Sequence, residues 1–118
     1  MWRLEQTDKF NSKFKRYQKK HPNEVCAVLN NLDTYLNTLN VLDNPLLVGG
    51  GWIHPEPKGV IAIDQKGGEG KLRQTRLYLF ADVDDKVVYL ITIGDKNTQK
   101  TDIKDSGKFI KKVLLRTI

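Results

Sequence analysis

KLRQTRLYLFADVDDKVVYLITIGDKNTQK, residues Lys71 to Lys100, is the stretch whose pattern decides the fold. Two apolar runs, Leu72–Ala81 and Val87–Ile93, flank the polar segment Asp82-Val83-Asp84-Asp85-Lys86. That arrangement predicts an antiparallel β-hairpin with a short turn. In the first run Leu72, Gln74, Arg76, Tyr78 and Phe80 share one face, and Arg73, Thr75, Leu77, Leu79 and Ala81 share the other. Both faces carry apolar groups, so the strand is expected inside its sheet rather than at an edge. Arg73 and Arg76 then lie near one end of it, on opposite faces. A guanidinium there is costly to desolvate unless it is paired or opens onto a surface. Lys96 and Lys100 follow the second run just past Gly94. The expectation is a set of cations gathered at one side of a small sheet.

Outward from the hairpin, the bulk chemistry narrows the classes. A chain of 118 residues fits one domain with its own core. A single cysteine excludes an intrachain disulfide and suits a reducing compartment. No apolar run approaches the roughly 20 residues that span a bilayer, and MWRLEQTDKF has no signal-peptide character. A cytoplasmic location is expected. Net charge is +6, unevenly spread: residues 1–23 balance at +5, residues 24–58 at −3 and residues 59–118 at +4. Basic ends point to a polyanion such as nucleic acid; the bland alternative is solubility alone.

Before the hairpin, Trp2–Gln6 alternates as a first strand, and Thr7 or Asp8 offers an N-cap. From Lys9 to His21, Phe10, Phe14 and Tyr17 recur at helical spacing. Lys9, Lys13, Arg16 and Lys20 make a second stripe, either a solvated face or a contact for phosphates. His21 suits the negative end of that helix dipole. After the break at Pro22, Val25, Leu29, Leu32, Leu36 and Leu39 predict a second helix over about 23–42. Cys26 beside this stripe reads as core filler, with no histidine placed near it in sequence. Residues 44–59, rich in glycine and proline, read as a loop. Gly49-Gly50-Gly51 is no phosphate loop, because no Gly-Lys-Ser/Thr follows. Trp52 serves either as a lid on the core or as a stacking platform for a base. His54 is either a proton-transfer group or a turn residue. Val60–Ile63 is a short strand, and a glycine-rich loop flanked by Lys66 and Lys71 leads into the hairpin. After it, Asp102 is the expected cap of a last short helix, with Asp105 at its third position and Phe109, Ile110, Val113 and Leu114 on one face. The expected class is α+β, a helical hairpin on one face of a small, mainly antiparallel sheet, in a single domain over 1–118.

In its first strand, its paired helices and the meander LRQTRLYLF…KVVYLITIGDKNTQK, the chain resembles the RelE/ParE/HigB superfamily of toxins from type II toxin–antitoxin modules. The most specific part is Arg73–Lys100, where an arginine opens the third strand and Gly94-Asp95-Lys96 ends the fourth. The resemblance implies ribosome-dependent mRNA cleavage, inhibition of translation and a partner antitoxin, with no cofactor, metal or membrane. Carried over by position, it implies Arg76 and Lys96 as the central catalytic residues. Arg73 and Lys71 stand beside them, and Lys66, His54, Gln99 and Lys100 along the RNA. Attack of a 2′-hydroxyl on its own phosphate needs charge stabilisation more than a dedicated nucleophile, which such cations supply. The chain departs from the RelE pattern: VIAIDQ carries no lysine, and no tyrosine follows Tyr89. Two alternatives therefore stand beside the endoribonuclease: a ParE-like inhibitor of DNA gyrase, and a catalytically inactive RNA- or ribosome-binding module.

Overall fold

In the computed structural model, which describes residues 1–65 and 72–116, the hairpin is the centre of the fold. Strands β4 (Thr75–Asp82) and β5 (Val87–Asp95) pair antiparallel, and Lys86 closes the turn with a left-handed backbone at φ 52°. β4 starts at Thr75, so Arg73 precedes the strand instead of belonging to it. The other elements are β1 (Arg3–Gln6), α1 (Asp8–Lys20), α2 (Pro22–Leu42), β2 (Ile53–Pro55), β3 (Ile61–Asp64) and α3 (Gln99–Arg116). The sheet runs β1-β5-β4-β3-β2, with β1 parallel to β5 and the other pairings antiparallel. The class is α+β as expected.

Three expectations are corrected. The segment 44–59 is not all loop, because Ile53–Pro55 pairs with Ile61–Ile63. A proline is tolerated there because the outer side of an edge strand needs no N–H donor. The last helix is not short, and Asp102 does not cap it. Asp95 instead caps the 3-10 turn Lys96–Thr98 that leads into α3, accepting from the Asn97 and Thr98 backbone N–H at 2.9 and 3.2 Å. Finally, α3 covers the face of the sheet opposite the helical hairpin, so the sheet is clad on both sides.

The core follows from this layering. Val25, Val28, Leu32, Tyr35 and Leu39 of α2, with Phe10 of α1, pack on Leu77, Leu79, Val88, Leu90 and Ile93. On the other face Ile110 meets Tyr78, Val60 and Ala62, and Val113 meets Val87, Tyr89 and Ile91. Ile93 and Leu90 share a face although their numbers differ in parity. The register explains it: Tyr78 pairs with Thr92 but Leu79 with Leu90, so Ile91 is an extra residue, a β-bulge. Thr7 joins this bulge to α1. Its hydroxyl accepts from the Phe10 N–H as N-cap and donates to the Ile91 carbonyl, both at 3.0 Å. Thr7→Ala is expected to cost about 2 kcal/mol in urea unfolding, and Thr7→Ser to recover most of it.

Burial also sets an alkaline limit. Desolvation pushes the Tyr35 hydroxyl up to about 12, and desolvation, then the Asp102 charge, raises Tyr78 further. With folded values raised, stability is fully present below about pH 10 and falls as pH rises through the folded values. In an alkaline titration these two tyrosinates are expected to appear together with unfolding, after the more exposed Tyr17 has begun to ionise.

Candidate nucleic-acid interface

Among the described residues, the two arginines singled out in the sequence do not converge on one spot. Arg76 lies on the α3 side of the sheet, its side chain only 14% exposed, 3.8 Å from a Glu56 carboxylate oxygen. Gln74, with its amide oxygen turned inward, accepts from the same guanidinium at 3.2 Å. Arg73 lies on the side of the helical hairpin. Its side chain is 51% exposed and stands 3.6 Å from Asp95, and its backbone N–H donates to Glu24 at 3.2 Å. Arg73, ahead of β4, and Arg76, within it, thus lie on opposite sides of the sheet, and each has a carboxylate partner. Lys96 is exposed on the turn between β5 and α3, Lys100 is exposed on the first turn of α3, and Gln99 between them is half-buried. Lys66 and Lys71 lie outside the described residues.

His54 belongs to neither arginine's pair. From the edge strand β2 its Nε2 reaches the Asp64 carboxylate at 2.7 Å, in a cross-strand contact that is largely buried on the Asp64 side. Asp64 pairs in register with Arg76, so His54, Asp64, Arg76 and Glu56 form one polar cluster on the α3 side. Two carboxylates balance one guanidinium there, which makes it a poor seat for a phosphate. His54 is bound into a structural pair.

The basic stripe of α1 makes the better site. Lys13, Arg16, Tyr17 and Lys20 recur at three- and four-residue spacing and line a groove of about 340 Å³, whose far wall is Gly94, Asp95 and Thr98. His21 closes the end of the groove for a local reason. It terminates α1, Pro22 starts α2 immediately, and the His21 side chain caps neither helix. Its ring is therefore available to pack against Tyr17, tilted by 49° with centroids 4.7 Å apart, and Nδ1 stands 3.9 Å from Glu24. Tyr17 shares a 2.7 Å hydrogen bond with the Thr75 hydroxyl. Burial, then the charges of Asp95 and Glu24, outweigh that bond and raise the Tyr17 hydroxyl above its ordinary value. Tyr17 stays neutral at physiological pH, a rigid aromatic between cations.

The groove is held open from beneath. Asp102 is fully buried; it accepts from Lys13 Nζ and from the Thr98 hydroxyl, both at 2.7 Å. One turn earlier Lys9 pairs with Asp105, and that ammonium holds the Asp105 carboxyl below its usual range. These two pairs tie α1 to α3 beyond Leu90, where β1 stops pairing with β5. Lys9 and Lys13 thus serve as struts, while Arg16 and Lys20 are exposed. The groove joins both basic ends of the chain, since Lys96 stands two residues from its wall residue Thr98.

Reading the sequence from the hairpin left Arg16 and Lys20 open between a solvated face and a phosphate contact, read His21 as a helix end, and did not bring Tyr17 to them. The signal was present in the second stripe of α1, but a cationic stripe looks the same whether it faces solvent or a neighbouring strand. Among the described residues no group of three or more metal-binding side chains gathers, and no helix is long and apolar enough to cross a membrane. No protein-family model, curated protein or solved structure matches this chain.

Proposed function

We propose that this protein is an RNA-directed toxin of the RelE/ParE/HigB kind, one that stops translation by engaging mRNA on the ribosome through the groove beside Tyr17 and His21. The observation that carries this reading is the row Arg16, Lys20 and His21 facing Gly94–Thr98, with an aromatic between the cations. Such a row tracks a phosphate backbone, and the aromatic offers a stacking face to a base. In cleavage, Arg16 and Lys20 hold the phosphate and His21 accepts the 2′-hydroxyl proton. The 2′-oxygen bonds to phosphorus as the P–O5′ bond breaks and the 5′-oxygen takes a proton from water, giving a 2′,3′-cyclic phosphate and a free 5′-hydroxyl. In this scheme Arg73 and Arg76 stabilise the fold, each beside its carboxylate. The expected partner is an antitoxin with an acidic segment that covers the same basic surface.

A second reading, RNA or ribosome binding without cleavage, is favoured by one observation: the mostly buried Arg76 is held by Glu56, away from the groove. One experiment separates the two. Purified protein is added to a translation extract, and ribosome-bound mRNA is mapped by primer extension. Cleavage predicts discrete new ends that His21→Ala removes while RNA binding survives. Inhibition with intact mRNA establishes the binding reading. Continued translation, with loss of supercoiling in a gyrase assay, assigns the protein to the ParE-like alternative.

A further inference from the structure

We propose that two copies of this chain associate, with the last turns of α3 from one copy seated in an apolar groove of the other. This groove lies far from Arg16 and His21 in the chain and does not depend on the RNA reading. It arises because α2 stops at Leu42 and the chain continues as a short turn, Pro45–Leu47, standing off from the β2–β4 end of the sheet. The space between them is about 440 Å³ and is walled by Leu46, Val48, Ile53, Val60, Phe80 and Val83. Leu46 is 92% exposed and Val83 is 56% exposed, and Leu47 beside them is largely exposed too. Apolar side chains concentrated this way cost free energy in water and mark an interface.

The rim selects the occupant. Asp84 and Asp85 stand exposed next to Val83 and make the rim acidic, while Glu56 in the wall is paired with Arg76. The neighbouring lysines are turned elsewhere: Lys86 reaches Asp43 at 3.0 Å, and the Lys58 stem lies along Gly107 of α3. An acidic rim repels RNA and an anionic lipid surface alike. It favours a short segment that is apolar and basic at once. The chain carries one at the end of α3, where Leu115 is 67% exposed and follows the exposed Lys111 and Lys112. The two surfaces are complementary in hydropathy and in charge. The contact sets a groove on one copy against a helix end on the other, and it closes into a two-fold, isologous pair when each helix end reaches the other's groove.

Sedimentation of the full chain tests this, from micromolar to submillimolar concentration. The native chain is expected to double its mass across that range, and to do so less readily at high salt. Leu46→Asp and Leu115→Asp each place a charge at a surface position, so both fold, which a thermal melt verifies. Each is expected to weaken association at least about tenfold. An equimolar mixture of the two variants is expected to associate again, because one supplies an intact helix end and the other an intact groove. A native chain that stays monomeric throughout overturns the proposal. So do variants that associate like the native chain, or a mixture that remains monomeric.

Discussion

Gly94→Ala is expected to destabilise the protein by about 3 kcal/mol and to lower its melting temperature by about 12 °C. A methyl group on Gly94 would overlap the Asp102 carboxylate and the Thr98 hydroxyl. Neither neighbour is free to withdraw. Asp102 is fully buried and holds Lys13, and Thr98 is fixed by the turn that Asp95 caps. Moving the carboxylate breaks a buried ion pair; moving the backbone shifts α3 off the sheet. The reason for glycine here is close approach and not an unusual φ. Urea unfolding of the single variant, and of Gly94→Ala in an Asp102→Ala/Thr98→Ala background, measures the effect. The added cost of the methyl group should largely vanish in that background. A single-variant cost under about 1 kcal/mol contradicts the packing of Asp102 over Gly94.

Arg16→Ala/Lys20→Ala is expected to weaken binding of single-stranded RNA about tenfold near physiological salt, and to flatten the salt dependence of log K by about 1.4. Both side chains are exposed, so the melting temperature should barely move. Arg76→Ala is expected to do the reverse. It leaves Glu56 without its guanidinium in a mostly buried place, so stability falls while the salt slope holds. Fluorescence anisotropy across a salt series, with thermal melts on the same samples, gives both readouts. An unchanged slope in the Arg16/Lys20 variant means the groove does not hold phosphates.

The sequence by itself determined the elements whose signals are local. The hairpin was legible because two apolar runs flank a turn rich in aspartate. α1 and α2 were legible from three- and four-residue spacing, and Thr7 from its place before the first apolar turn. Even the separation of Arg73 from Arg76 was contained in strand alternation, though both were expected to serve one site. Only the tertiary structure decided the rest. The bulge at Ile91 was invisible because every residue from Val87 to Ile91 is apolar or aromatic, so no alternation marks the slip. Strand β2 was hidden by Pro55, which only an edge position excuses. Asp102 looked like a cap because Asp105 follows it at capping-box spacing, whereas its depth is set by α3 lying across Gly94. The α1 stripe became a groove only when β5 ended opposite it. Hydrogen-bond periodicity and turn chemistry act within a few residues and leave their mark in the chain. Burial and charge pairing depend on which elements meet, and the partners here lie as far apart as Lys13 and Asp102.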